Sequence, residues 1–213
     1  MKRTFTFPFT LLLAVLSLVT VSLIGCAVYT APTREETLQI VKSSFQDRGI
    51  AKLDRLNQSE LQVACSEVAL TGKELPKDLR ARLEKQALAT VKLPADGVYL
   101  GDFKQGERIA QTGVGMQWSD TDKTVAGGNC YACHEISPQE IAYGNIGPSL
   151  KGYRKLRGET PAVVSYTWGK LWNSHAYNAC SQMPRYGDAN ILTTAQIKDL
   201  MALLLDPNSP VNK

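Results

Sequence analysis

Cys130-Tyr131-Ala132-Cys133-His134 is the stretch from which the rest of the chain is read. Two cysteines separated by two residues, with a histidine immediately after, form the attachment pattern of a c-type haem. On a short helical turn both thiols face one edge of a porphyrin and can form thioethers with its two vinyl groups. His134 then lies beneath the iron and offers an imidazole nitrogen as proximal ligand. A bare C-x-x-C pattern is shared with zinc sites and dithiol redox sites. The appended histidine turns the reading toward one covalently bound haem c. The competing arrangement is a zinc module of Cys130, Cys133, His134 and one of Cys65, Cys180 or His175.

Downstream, Gly144-Asn145-Ile146-Gly147-Pro148-Ser149-Leu150 follows the motif. Proline donates no backbone hydrogen bond but keeps its carbonyl. A carbonyl beside the proximal imidazole can accept the other ring N–H, which fixes the tautomer and strengthens the ligand. That role is expected of Pro148, with a plain Gly-Pro turn as the other reading. The sixth iron ligand has four candidates: Met116, Met183, Met201 and His175. Met201 falls on the apolar face of a helix predicted over 194–205, with Ile197, Leu200 and Leu204, and reads as core. Met116 precedes the motif in a glycine-rich loop. Met183, before Pro184 in a polar loop, is the best placed, and His175 is its main alternative.

Upstream, residues 112–128 read as a loop, in which Trp118 is expected to fill a surface pocket, with shielding of the haem as the other reading. Residues 102–111 can form a short helix with Phe103 and Ile109 inward. Pro94-Ala95-Asp96-Gly97 marks a boundary. Before it, Thr33-Arg34-Glu35-Glu36 has the form of a capping box, opening a helix expected to stop near Gly49. Ser59-Glu60-Leu61-Gln62 opens a second helix, with Leu61, Cys65 and Val68 on one face. Pro76 suits the first turn of a third, with a stripe of Leu79, Leu83, Ala87 and Val91. This helical piece is too small for a core of its own and is expected to pack on the domain C-terminal to it.

Lys2 and Arg3 precede an apolar run over residues 9–24, broken only by Thr10, Ser17, Thr20 and Ser22. That is an export signal, short for a membrane span. It ends in Leu23-Ile24-Gly25-Cys26, which resembles a lipobox and makes Cys26 the candidate for lipidation. Cleavage after Ala27 or Ala31 to give a soluble product is the alternative. Removing Lys2 and Arg3 from the 24 basic residues leaves 22 against 20 acidic ones, so the mature chain is near neutral. Nucleic-acid binding is therefore not expected. With Cys26 and the haem pair assigned, Cys65 and Cys180 remain in an oxidising compartment, as a disulfide or as two buried thiols.

These stretches together resemble the SoxX cytochrome subunits of bacterial thiosulfate-oxidising SoxAX complexes. The resemblance is carried by residues 128–134, 143–150, Tyr166-Thr167-Trp168, 176–180, Met183-Pro184-Arg185-Tyr186-Gly187 and 200–212, and it covers most of residues 97–213. It implies an all-α, class I cytochrome c fold with an N-terminal helical extension. The expected organisation is an export signal over 1–25, a tether and helical extension over 26–96, and a cytochrome c domain over 97–213. It further implies a periplasmic heterodimer with a SoxA-like cytochrome, which carries the catalytic centre of an L-cysteine S-thiosulfotransferase. That activity joins thiosulfate oxidatively to a cysteine of the SoxYZ carrier protein. The present chain would accept the electrons and pass them to a soluble cytochrome, contributing no catalytic residue. The lipobox departs from a soluble subunit and adds possible membrane anchoring. A free-standing periplasmic electron shuttle is the alternative function.

Overall fold

The computed structural model describes residues 31–213. The export signal and Cys26 lie outside the described residues. The chain divides into two compact units, Met1–Phe45 and Gln46–Lys213. Residues 46–96 therefore share a unit with the haem-motif region, and Pro94–Gly97 is a turn within it, closed by Gly97 N–H donating to the Pro94 carbonyl at 3.0 Å.

In the first unit, helix α1 (Arg34–Ser44) starts at the predicted capping box. Thr33 Oγ1 accepts from Glu36 N, and the Glu36 carboxylate accepts from Thr33 N at 2.8 Å. The helix ends at Ser44, five residues before Gly49, because Phe45 is already extended. Gly49 instead occupies a tight turn at φ +53°, where a Cβ would lie 2.2 Å from the Trp118 carbonyl oxygen. Trp118 is 51% exposed rather than pocketed, with the Arg48 guanidinium 3.4 Å over its ring. An exposed cation–π contact of this kind contributes about 0.5–1 kcal/mol.

Helix α2 (Glu60–Thr71) is capped by Ser59 and Gln62 and stops at Gly72, which adopts the left-handed conformation at φ +67°. That ending is the usual one, since glycine carries no Cβ penalty there. Helix α3 (Lys77–Ala89) follows Pro76, which sits at the cap just ahead of the first turn. Leu61, Leu75, Leu83 and Ala179 form a small core, flanked by Cys65, Val68, Leu79 and Cys180. Cys65 and Cys180 are joined in a disulfide, with Cα atoms 5.4 Å apart.

The main core gathers around helix α4 (Phe103–Gln111) and helix α7 (Thr194–Leu205). The two approach closely because Gly106 has no side chain. A Cβ there would lie 2.2 Å from the Asp199 carbonyl oxygen. Asp199 Oδ1 also accepts Asp102 N at 2.8 Å, tying the start of α4 to α7. Helix α7 is buried more widely than the predicted stripe, taking in Leu203 and Leu205 as well as Ile197, Leu200 and Leu204. Met201 is 0% exposed, a core residue worth about 1.5–3 kcal/mol by burial. Helices α5 (Tyr153–Arg157) and α6 (Pro161–Trp172) close the core. Trp168 on α6 stacks on Trp172 and donates its indole N–H to the Lys92 carbonyl at 2.9 Å. The structure is helical, with no strand among the described residues.

Candidate haem-binding site

The haem motif forms a single 3-10 turn, Cys130–Ala132, entered through Asn129 in the left-handed region at φ +47°. Backbone N–H groups of both Cys133 and His134 donate to the Cys130 carbonyl, at 3.1 and 2.9 Å. This curls the motif so that its two thiols and the imidazole belong to one loop. Cys130 and Cys133 are free thiols, half-buried. Burial pushes the Cys130 thiol up to about 11, so it is protonated at neutral pH. Addition of a thiol across a vinyl group moves sulfur and hydrogen together, and no oxidant is needed.

Tyr131, between the cysteines, points the other way into the core. Its hydroxyl donates to Glu107 Oε1 at 2.7 Å and accepts from Ser137 N at 3.1 Å. The other Glu107 oxygen is buried with no partner, and burial raises that carboxyl above the ordinary range.

His134 is held from two sides. Its Nδ1 lies 2.7 Å from the Pro148 carbonyl oxygen. A carbonyl only accepts, so Nδ1 carries the proton and Nε2 keeps its lone pair free for a metal. Gly147 lies flat against the ring: a Cβ there would stand 2.2 Å from His134 Cε1 and 2.7 Å from Nε2. The Gly147 N–H donates to the Cys133 carbonyl, and Leu150 N–H to the Glu135 carbonyl. Ser149 Oγ donates to Glu135 Oε2 at 2.7 Å. The 147–150 segment is thereby stitched along the motif, and the Pro148 carbonyl cannot drift from the ring.

The remaining candidate ligands separate by their surroundings. Met201 is buried in α7. Met116 is 37% exposed on a loop whose carbonyl accepts from Arg55. His175 is half-buried, and its Nε2 lies 3.2 Å from the Ser181 carbonyl oxygen, to which it must donate. Burial also lowers its basicity. Met183 is partly buried against the same core that Cys130 borders. Cys65 and Cys180 are consumed by the disulfide, and no group of three or more potential ligands for a bare metal ion exists among the described residues.

Residues 119–206 match the family described as cytochrome c. An uncharacterized lipoprotein of Aquifex aeolicus (strain VF5) is 38% identical over 162 residues, which is 73% of this chain and 73% of that protein. The chain contains a cytochrome c domain. The cytochrome carries a covalently bound haem c, and its residues fit that group on two observations. The imidazole tautomer leaves Nε2 available, and Gly147 makes a cradle that a Cβ would fill. Cys130 and Cys133 would hold the haem covalently, and His134 with Met183 would take the iron. Bound there, the group supplies a one-electron ferric–ferrous couple. Among the described residues of the cytochrome, no helix is long and apolar enough to cross a membrane.

One residue of this site carries little signal in the sequence: Gly147 reads there as half of a Gly-Pro turn.

Proposed function

We propose that this cytochrome is the electron-accepting, SoxX-like subunit of a thiosulfate-oxidising complex, with Cys130, Cys133, His134 and Met183 as its haem-attachment and iron-ligand set. In this reading a SoxA-like cytochrome bears the catalytic centre, and the SoxYZ carrier protein presents the acceptor cysteine. The thiol and thiosulfate form an S–S bond, releasing one proton and two electrons. A one-electron carrier takes those electrons in succession and delivers them to a soluble cytochrome.

The observation that carries this proposal is the clustered resemblance over residues 128–134, 143–150, 166–168, 176–180, 183–187 and 200–212. These segments contain the motif turn, the Pro148 contact and the Met183 loop. The chain's own chemistry agrees with a relay. It supplies candidates for both axial positions, and Met183 ligation would favour ferrous iron and so suit an acceptor. The protein is expected in the periplasm, with Cys26 as a possible lipid anchor.

The test is reconstitution. The purified cytochrome alone should not couple thiosulfate to a SoxYZ cysteine, whereas adding a SoxA-like partner should produce the conjugate and reduce this haem. Turnover by the single chain would overturn the reading. Rapid reduction of the haem by unrelated donors, with no stable partner recovered from thiosulfate-grown cells, would favour the free-standing shuttle.

A further inference from the structure

We propose that α2 and α3 form a clamp that positions Met183 for the iron, with Cys65, Glu84, Asn173 and Ser174 as its positioning residues. The proposal rests on the reading of Met183 as distal ligand and assigns a role to the extension.

Residues 173–183 contain only one short 3-10 turn, Ser174–Ala176. A helix ladder does not fix this segment, so its place depends on side-chain anchors. Three of them come from α2, α3 and the end of α3. The Cys65–Cys180 disulfide attaches α2 three positions before Met183. Glu84 Oε1 on α3 accepts the Ala179 backbone N–H at 3.0 Å. The Asn173 amide, buried, donates to Thr90 Oγ1 at 2.9 Å and toward the Ala87 carbonyl at 3.4 Å. The next residue completes the connection. Ser174 is 0% exposed, and its hydroxyl donates to the Met183 carbonyl at 2.5 Å.

Met183 N–H is itself held by Ser181 Oγ at 3.2 Å. Both backbone groups of the proposed ligand are thus engaged, one of them by a residue fixed against α3. Apolar packing reaches only part of the segment, where Ala179 is buried with Leu61, Leu75 and Leu83. Toward Met183, a cleft of about 380 Å³, lined by Gln62, Cys65, His175, Cys180 and Met183 among others, lies beside the disulfide and the distal loop. Discrete pins therefore set the position of the Met183 end. A thioether is a neutral, weak donor on a flexible side chain. Its hold on iron depends on how rarely the backbone carrying it swings away.

The experiment measures displacement of the distal ligand in the ferric holoprotein by free imidazole, followed through the sulfur-to-iron band at the red end of the spectrum. Ser174→Ala and Glu84→Leu each remove one hydrogen bond and should speed displacement roughly two- to tenfold. Glu84→Gln, which keeps an acceptor, should restore the rate. The double Cys65→Ser, Cys180→Ser variant should exceed tenfold. Asp199→Ala, which cuts the α4–α7 tie away from this segment, should leave the rate within twofold and so controls for general loosening. Clamp variants indistinguishable from wild type, or from Asp199→Ala, would overturn the clamp while leaving the ligand assignment intact. Persistence of the band in Met183→Ala would overturn the ligand assignment and the clamp with it.

Discussion

Adding one methyl group at Gly147 offers a sharp probe of how the proximal histidine is held. In Gly147→Ala the new Cβ would fall 2.2 Å from His134 Cε1 and 2.5 Å from Nδ1, where ordinary contact is 3.4–4 Å. The imidazole must retreat by more than 1 Å, because the backbone on the other side is stitched to the motif. A movement of that size along the hydrogen bond takes the 2.7 Å contact with the Pro148 carbonyl beyond useful range. Overpacking costs about 1–3 kcal/mol. The lost hydrogen bond adds about 0.5–1.5 kcal/mol. A total of about 1.5–4.5 kcal/mol is expected in stability. An imidazole without its carbonyl partner is a poorer donor and stabilises ferric iron less. If about 1 kcal/mol of the loss falls on the ferric state alone, the one-electron potential rises by roughly 40 mV, at 59 mV for each tenfold change. Potentiometric titration of the ferric–ferrous couple reads this directly. Gly106→Ala is the matched control: its Cβ would meet the Asp199 carbonyl oxygen at 2.2 Å, on neither the 147–150 segment nor the Met183 loop, so it should destabilise without moving the potential. An unchanged potential in Gly147→Ala, or an equal shift in Gly106→Ala, would refute the reasoning.

Met183→Ala is expected to leave haem covalently attached, abolish the red-end ferric band and lower the potential, all visible in one absorption titration. At Glu107 the folded-state carboxyl is raised by burial, so its stabilising contribution is full below the ordinary carboxylate range and is lost as pH rises through the raised value. Glu107→Gln, which can still accept from Tyr131, should flatten that part of the stability–pH curve; denaturant midpoints at acidic and neutral pH check it. Intact mass of the native protein is expected to show acyl chains on Cys26, since Leu23-Ile24-Gly25-Cys26 resembles a lipobox. A mature form beginning beyond residue 26 would rule this out.

Local chemistry is the most legible part of the chain. The capping boxes at Thr33 and Ser59 each announce a helix, and both form where the side-chain pattern puts them. The haem motif, the Gly-Pro carbonyl and the leftover cysteine pair are visible because each rests on a fixed covalent or backbone constraint. The hidden part depends on contacts between distant segments. The α1 helix ends at Ser44 while Gly49 serves another turn, because Gly49 is required by the close approach of Trp118, far away in sequence. Gly106 is a weak helix residue by sequence, and only the approach of α7 explains it. Ser174 and Glu84 carry no motif, and their partners lie 9 and 95 residues away. The compact division after Phe45, rather than near Gly97, has the same origin: the disulfide and the Asn173 contacts join residues 46–96 to the haem-motif region.

The disulfide also bears on how the cell must make this protein. Among the described residues four cysteines face two opposite fates: Cys65 and Cys180 are oxidised, while Cys130 and Cys133 must stay reduced until haem arrives. Loop closure favours the wrong pairing, because the two thiols of a C-x-x-C meet far more often than partners separated by 115 residues. Biogenesis therefore calls for an oxidant for the long-range bond and a dedicated reductant for the short one, working on the same chain in the same compartment. A production host that supplies only one of these will yield either colourless protein with a locked motif or a red protein with an untethered distal loop.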